Sequence, residues 1–304
     1  MSEENQNSVA SGGVDHHYAL FIGCTTPVRE NNYEASARSV ASALGIEISG
    51  IPGQSCCGLP FRSIDYNAWL TLAARNLALA NKENHQKIMV LCNGCYKSLL
   101  TANKELQTNE KLRQNISKRL SVEDLELKGG MEVRHIAQVL HDDYGIENIR
   151  QHVKTHLGNL KVAIHPGCHI AMPSKIIGFD NPALLKKLDE LVEVTGAKPI
   201  NYETKRLCCG ATIVGIKEEV SKILVRKKIE NLSGKVDAMI TFCPICHSTY
   251  DTQQLDVFSD ASSEKRVPVL HYTQLLGLAL KIPEEKLGFE MNRVDITKVL
   301  EKAM

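Results

Sequence analysis

The ten cysteines of this 304-residue chain form one pattern that occurs twice. Each copy has a single cysteine, then an adjacent pair followed by glycine, then a Cys-x-x-Cys motif. The positions are Cys24, Cys56, Cys57, Cys92 and Cys95 in the first copy and Cys168, Cys208, Cys209, Cys243 and Cys246 in the second. Equivalent cysteines are offset by 144 to 152 residues. Five thiols repeated at matched distances predict two sulfur-rich sites.

An even number of regularly spaced cysteines also suits a disulfide framework in a secreted protein. Residues 1–15, however, are polar and contain no apolar core of a signal peptide. Thiols stay reduced in the cytosol, and a disulfide between adjacent cysteines strains the peptide that joins them. We therefore expect a cytoplasmic protein with reduced cysteines, and we interpret residues 1–16 as a flexible extension.

Charge and hydropathy argue against two classes of partner. Lys and Arg total 36 against 35 for Asp and Glu, so the chain has no basic field that would attract nucleic acid. No apolar stretch approaches the ~18 residues of a membrane-spanning helix. The hydrophobic fraction of 43 % supports a packed core, and the length suits two domains of roughly 150 residues each.

Apolar runs alternate with helical patterns in both halves of the chain. Buried strands are predicted at residues 18–22, 88–91, 162–164 and 238–242, each shortly before a motif cysteine. Helical stripes lie between them, one around Leu70 and another that includes Leu184 and Leu188, with Pro182 in its first turn. Such alternation predicts α/β domains with mostly parallel sheets, in which functional residues collect at the carboxyl ends of strands.

A second match supports the duplication. Residues 133–140 align with residues 269–276, and the first Val, the His, the Gln and the final Leu are identical. The polar stretch from Leu106 to Gly130 accounts for the longer spacing in the first copy. We predict a first domain over residues 17–158 and a second over 159–304, related by a pseudo-twofold axis. The final residues, 296–303, predict a helix that packs on the core.

The number of thiols in each copy indicates the kind of metal centre. Thiolates suit both zinc and iron–sulfur clusters, but a tetrahedral zinc site takes only four ligands. Five sulfurs on three loops exceed what zinc or a cubane cluster needs, whereas adjacent cysteines can bind two irons of an extended cluster. We expect iron–sulfur clusters rather than zinc. A non-enzymatic zinc scaffold is the alternative.

Both copies resemble the CCG cysteine-rich domain. The first reads Cys-x31-Cys-Cys-Gly-x33-Cys-x2-Cys, and the second has spacers of 39 and 32 residues. The residues around the motifs, among them Cys92-Asn93-Gly94-Cys95-Tyr96 and Pro166-Gly167-Cys168-His169, are most similar to the HdrB subunit of heterodisulfide reductase from methanogenic archaea. The resemblance covers about residues 18–280.

This resemblance implies an oxidoreductase that acts on a sulfur group. Each set of five cysteines would hold a noncubane 4Fe-4S cluster, and the two clusters would reduce the disulfide of coenzymes M and B to two thiols. The alternative within the family is an iron–sulfur electron-transfer subunit for lactate, glycolate or glycerol-phosphate oxidation, or for sulfur oxidation.

The resemblance also implies partner subunits. The chain has neither the ferredoxin run C-x2-C-x2-C-x3-C-P nor a G-x-G-x-x-G nucleotide loop, so we expect no flavin or NAD on it. Electrons would come from a ferredoxin-like iron–sulfur partner of the HdrC type and a flavin-containing partner of the HdrA type, with a hydrogenase or formate dehydrogenase upstream.

Both coenzymes are anionic, so cations are expected near the cysteines. The basic residues within seven positions of a motif cysteine are Arg29, Arg62, Lys97, Lys175 and Arg206. For any single one of them, a solvated surface charge is the favoured interpretation. His169 and His247 directly follow motif cysteines and are candidate proton donors, with packing or hydrogen bonding as the alternative role.

Overall fold

The computed structural model describes residues 16–304. The predicted extension, residues 1–16, lies outside the described residues except for His16. The described chain contains eight strands: β1 (His17–Phe21), β2 (Glu47–Gly50), β3 (Lys87–Val90), β4 (Glu132–His135), β5 (Lys161–His165), β6 (Lys198–Ile200), β7 (Ala238–Thr241) and β8 (Val269–His271).

Helices connect and cover the strands. They are α1 (Thr26–Arg29), α2 (Asn31–Ala43), α3 (Tyr66–Lys82), α4 (Asn93–Thr108), α5 (Glu110–Leu120), α6 (Ile136–Gln138), α7 (Ile146–His152), α8 (Ser174–Ile177), α9 (Lys186–Glu193), α10 (Glu218–Leu232), α11 (Pro244–Val257), α12 (Tyr272–Ala279) and α13 (Thr297–Ala303). A π-helical turn at Val139–Gly145 lies between α6 and α7, and short 3-10 turns occur elsewhere. None of the helices within residues 16–304 is both long and apolar enough to cross a bilayer.

The two cysteine repeats form two sheets of identical topology. The strand orders are β2-β1-β3-β4 and β6-β5-β7-β8, and all neighbouring strands are parallel. The central strands β1 and β5 bury their last four residues, as expected when helices cover both faces of a parallel sheet. The predicted α/β class with two parallel sheets is confirmed. The domain boundary at residues 158 and 159 lies between α7 and β5 and stays a prediction.

Four strands end just before a cysteine. β1 and β5 end three residues before Cys24 and Cys168, and β3 and β7 end two residues before Cys92 and Cys243. Because these strands are parallel neighbours, their carboxyl ends lie at one edge of each sheet. The predicted position of the cysteine motifs at strand ends is confirmed.

The repeated His-x-x-Gln match has a local structural cause. In both copies the histidine ends a strand and precedes a helix. The side chain of Gln138 accepts the backbone N–H of His135 at 3.1 Å, and Gln274 accepts that of His271 at 3.0 Å. Each glutamine thus satisfies a backbone donor that would otherwise have no partner at the start of a helix.

One helix begins later than the sequence predicts, and the C-terminal helix forms as predicted. Pro182 and Leu184 lie in a turn before α9, not in its first turn, because Leu185 has a left-handed backbone conformation with φ of 49°. Helix α5 accounts for the extra length in the first repeat. Helix α13 buries Val299 and Ala303, which confirms its packing on the core.

Candidate metal centre

The ten cysteines form one continuous series of neighbouring side chains. Successive members interact in the order Cys24, Cys56, Cys57, Cys95, Cys92, Cys243, Cys246, Cys209, Cys208 and Cys168. Sγ of Cys92 and Sγ of Cys243 are 3.9 Å apart, and those of Cys246 and Cys209 are 3.5 Å apart. All ten are free thiols. The two predicted five-thiol sites therefore meet at Cys92 and Cys243.

Exposure changes along this series. The middle six cysteines, Cys57, Cys95, Cys92, Cys243, Cys246 and Cys209, are buried. Cys24 at one end, and Cys168 and Cys208 at the other, are exposed. Solvent therefore reaches both ends of the series, whereas its centre is shielded by protein.

The glycine after each cysteine pair allows a tight turn. Gly58 and Gly210 have φ of 75° and 81°, and their backbone N–H groups donate to Sγ of Cys56 and Cys208 at 3.4 Å. A Cβ on Gly58 would lie 2.9 Å from the backbone oxygen of Trp69 in α3. Only glycine combines this backbone conformation with so close an approach to the helix.

The Cys-x-x-Cys motifs begin helices. Cys92 is the N-cap residue of α4 and Cys243 that of α11, and Cys95 and Cys246 lie in the first turns. The N-terminus of a helix carries partial positive charge and stabilises a thiolate nearby. Both inner sulfur pairs are therefore placed where the backbone favours the metal-binding form of cysteine.

Neighbouring thiols share protons. Hydrogen bonds from Cys168 and Cys209 lower the pKa of Cys208 to about 2, and the hydrogen bond to Cys208 raises the pKa of Cys168. One thiolate is thus stabilised by the thiols on either side of it. Metal binding displaces such protons, because the thiolate is the metal ligand.

The donor set fits iron–sulfur clusters. Each repeat offers five sulfurs in sequence, one more than a tetrahedral zinc site or a cubane cluster takes. Sulfur dominates the donors, with a ring nitrogen of His165 within 4.8 Å of the sulfurs of Cys209 and Cys246. Soft thiolate donors in a largely buried setting favour iron–sulfur chemistry over hard cations.

A surface cavity of about 310 Å³ opens beside Cys24. We call it the first opening. The first repeat contributes Val28 and Arg29 to its wall, and the second repeat contributes Val214 and Ser248. Apart from Arg29, these side chains are uncharged. The first opening is therefore lined across the junction of the repeats.

Cys168, the equivalent cysteine of the second repeat, is exposed to solvent. We call its exposed surroundings the second opening. A Cβ on Gly94 of the first repeat would be 3.6 Å from Nδ1 of His169. Burial and the charge of Arg62 lower the pKa of Lys97, while Cys168 raises it. Burial, and then the charge of Lys97, lower the pKa of His169. These interactions group Arg62, Lys97 and His169 beside Cys168.

The two openings differ in charge. Arg62 and Lys97 at the second opening correspond in the repeat to Val214 and Ser248 at the first. The pseudo-twofold relation is therefore broken by two cations on one side only. An elongated anionic ligand would meet Arg62 and Lys97 at one end and the single cation Arg29 at the other.

The remaining basic candidates are not grouped with these. Lys175 is exposed on α8. Arg206 donates to the backbone oxygen of Pro182 and lines a separate surface cavity with Lys205 and Asp189. Arg62 also lies 4.6 Å above the ring of Trp69 and 3.7 Å from a carboxylate oxygen of Glu105, which limits its motion.

His247, the other histidine candidate, is buried in a cluster that sequence reasoning missed. Its Nδ1 lies 2.7 Å from Oε2 of Glu30, and Nε2 of His271 lies 3.0 Å from the same oxygen. Glu30 comes from the first repeat and both histidines from the second, so the cluster joins the repeats. In the sequence, His271 belongs to the repeated His-x-x-Gln match, whereas Glu30 belongs to no motif that would have predicted its role.

The cluster carries an ion pair. Burial would raise the pKa of Glu30, but the ion pair with His247 and the hydrogen bond from His271 hold it at about 2. Glu30 also raises the pKa of His247 against the effect of burial, whereas burial and the charge of His247 lower that of His271 to about 3. The imidazole rings stack 3.9 Å apart at 18°. This parallel stacking does not suit a shared metal ion, because each ring binds a metal in its own plane.

The cysteine-rich domain family, CCG, matches residues 18–99 and 162–251. The HdrB subunit of a ferredoxin:CoB-CoM heterodisulfide reductase from Methanosarcina mazei is 37 % identical over 289 residues, which cover 93 % of this chain and 96 % of that protein. An 8-methylmenaquinol:fumarate reductase membrane anchor subunit from Wolinella succinogenes is 35 % identical over 289 residues, or 94 % of this chain and 100 % of that protein.

A solved structure shares the fold. A hypothetical protein from Helicobacter pylori superposes with a TM-score of 0.71 at 15 % identity over 93 % of this chain, which spans 53 % of that protein. The family match covers both cysteine repeats, and the relatives above 30 % identity span nearly the whole chain. The chain therefore belongs to the duplicated CCG cysteine-rich family, together with the HdrB subunit of heterodisulfide reductase.

Proposed function

We propose that this chain is the catalytic subunit of a CoB–CoM heterodisulfide reductase and reduces the disulfide to two thiols with two noncubane 4Fe-4S clusters. The observation that carries the proposal is the 3.9 Å separation of Cys92 and Cys243, which brings two five-thiol sites together. When bound, such clusters supply single electrons. Cleavage of one disulfide to two thiols requires two electrons and two protons, so two adjacent one-electron sites match the number of electrons. The Methanosarcina mazei relative, which is named for this reaction, supports the assignment.

The openings suggest roles for the surrounding side chains. Lys97 and Arg62 would bind the anionic group of one half of the substrate at the second opening, and Arg29 would bind that of the other half at the first. Of the two histidine candidates, His169 lies at the second opening and would hold a proton there. His247 is paired to Glu30 and would have a structural role.

We also propose that the chain acts in the cytoplasm within a complex. Its relatives are named as subunits, and the sequence has no ferredoxin or nucleotide motif of its own. An iron–sulfur partner of the HdrC type and a flavin-containing partner of the HdrA type would deliver electrons, with a hydrogenase or formate dehydrogenase upstream.

A second candidate function is electron transfer within another reductase. The Wolinella relative is nearly as similar to this chain, yet its name assigns it to fumarate reduction. In that case the same clusters would pass electrons without cleaving a disulfide. The other electron-transfer roles in the family, such as lactate or glycolate oxidation, belong to this alternative.

Anaerobic purification and turnover test the proposal. Two 4Fe-4S clusters require about eight irons per chain, and a colourless zinc protein would reject both iron–sulfur functions. The reconstituted complex is then assayed with the coenzyme M–coenzyme B disulfide and a low-potential donor. Release of both thiols supports the proposal. Reducible clusters without disulfide turnover would favour the electron-transfer alternative.

A further inference from the structure

The two repeats differ in charge behind their cysteines as well as at the openings. Helix α10 carries Lys228 where the equivalent position of α3 carries Asn76. The last residue of β5 is His165, whereas the last residue of β1 is Phe21. All four side chains are buried. A lysine and a histidine in the second repeat therefore replace an asparagine and a phenylalanine in the first.

Lys228 is fully buried and its ammonium group is saturated with acceptors. Nζ donates to the backbone oxygen of Thr204, to that of Lys205 at 3.1 Å and to Nδ1 of His165 at 3.3 Å. It also lies 5.2 Å from the ring centre of Tyr202. An ammonium group has three donors, and here each has an acceptor, in addition to a nearby aromatic face. Burial lowers the pKa of Lys228 to about 7, whereas these acceptors and the nearby sulfurs of Cys246, Cys209 and Cys208 favour the ammonium form.

His165 lies between this cation and the second set of sulfurs. Its Nδ1 faces Lys228, so Nε2 carries the ring proton in the neutral form. Nε2 is buried and has no partner among the described residues. A ring nitrogen of His165 is within 4.8 Å of Sγ of Cys209 and Sγ of Cys246. A buried donor without an acceptor is costly, and a sulfur of a bound cluster would satisfy it.

The first repeat uses the same positions differently. Asn76 donates to the backbone oxygen of Cys56 at 3.2 Å and accepts the backbone N–H of Ser55 at 2.9 Å. It holds the loop of the cysteine pair in place but adds no charge. Phe21 can neither donate a hydrogen bond nor carry charge. The first set of cysteines thus lacks the Lys228–His165 arrangement.

We infer that Lys228 and His165 make the second five-cysteine site easier to reduce than the first, so that the two clusters of the proposed function have different reduction potentials. The inference rests on the presence of a cluster at each site. A nearby cation and a hydrogen bond to sulfur both stabilise the more negative, reduced state. The first electron would therefore reduce the cluster of the second site, which lies next to the second opening.

Potentiometric titration of the anaerobically purified full chain, followed by electron paramagnetic resonance, tests this inference. The wild type is expected to show two reduction steps. Lys228→Asn, which copies the first repeat, should lower only the higher-potential step. We expect about a tenfold fall in the reduced-to-oxidised ratio at a given potential, or ~59 mV for one electron. Lys228→Arg should retain most of the wild-type potential.

Two further variants test whether any charge on α10 has the same effect and whether His165 is a metal ligand. Lys227→Asn removes an exposed charge from the same helix and should leave both steps in place. His165→Phe should lower the same step as Lys228→Asn while the iron content is unchanged. Loss of iron in His165→Phe would make this histidine a ligand and overturn its role as donor.

Other outcomes are equally decisive. Equal potentials for the two sites in the wild type, or an unshifted higher step in Lys228→Asn, would overturn the inference while the proposed function stands. Iron-free protein would overturn both. Clusters with the expected shifts but without disulfide cleavage would reject only the proposed reaction.

Discussion

Sγ of Cys92 and Sγ of Cys243 lie 3.9 Å apart, although 151 residues separate them in the chain. Both are buried N-cap residues of the helices that follow the third strand of their repeats. A contact between equivalent positions is the consequence of a local twofold relation between the repeats. A metal group bound at one site is therefore held beside the other.

Replacement of Cys92 by Ser should empty the first site and abolish disulfide cleavage. Serine is a poor ligand for iron in place of thiolate, and Cys92 is also the point where the two sites meet. We expect about half of the iron to be lost and turnover to fall at least ~100-fold. Iron analysis and single-turnover assays measure both effects.

Thr108→Ser, at the exposed end of the same helix α4, is the matched control and should leave iron and turnover unchanged. Full iron content with normal turnover in Cys92→Ser would contradict the assignment of this cysteine.

Replacement of Lys97 by Gln should weaken substrate binding. Lys97 and Arg62 form the cationic wall of the second opening, and a charge-assisted hydrogen bond contributes about 1.5–3 kcal/mol. We expect KM for the anionic disulfide to rise about tenfold or more, with little change in iron content. Steady-state kinetics over a range of substrate concentrations separates KM from kcat.

Arg206→Gln provides the comparison, since Arg206 lies at a separate surface cavity. If it raises KM as much as Lys97→Gln does, the second opening is not where the anionic group binds.

Replacement of Glu30 by Ala should destabilise the protein strongly. The buried carboxylate pairs with His247 and accepts from His271, so its removal leaves buried histidines without their partner. Breaking a buried ion pair in this way costs about 3–5 kcal/mol of the free energy of unfolding. Denaturant unfolding under anaerobic conditions measures the change.

Glu34→Gln is the control on helix α2. Its salt bridge with Arg38 is partly exposed and spans one helical turn, so we expect a loss below about 0.5 kcal/mol. Equal stability of the Glu30 and Glu34 variants would show that the ion pair does not tie the repeats together.

Replacement of Gly58 by Ala should disturb the loop of the first cysteine pair. Its φ of 75° is unfavourable for alanine, and the added Cβ would lie 2.9 Å from the backbone oxygen of Trp69. Gly129 has the same φ but open space around its Cβ position. Gly129→Ala should therefore cost only the backbone strain, about 1–2 kcal/mol.

We expect Gly58→Ala to lower the free energy of unfolding by more than Gly129→Ala and to reduce iron content. Both variants are compared by denaturant unfolding and iron analysis. Identical losses would mean that close approach to α3 is unimportant.

Local sequence patterns predicted most of the fold. The apolar runs before Cys24, Cys92, Cys168 and Cys243 became strands, because short buried strands depend on the residues within them. The helix around Leu188 began later than expected, since Leu185 adopts a left-handed conformation that no propensity signals. The cysteine spacing alone identified the ten metal ligand candidates.

The sequence by itself determined two copies of one α/β unit and the five thiols that each would present. Only the tertiary structure decided that Cys92 meets Cys243 and that Glu30 pairs with His247 across the repeats. It also placed Lys228 and His165 behind one set of sulfurs only. Strands and turns are specified by neighbouring residues, whereas these contacts join side chains 63 to 217 residues apart. They depend on how the packed helices and sheets bring distant segments together.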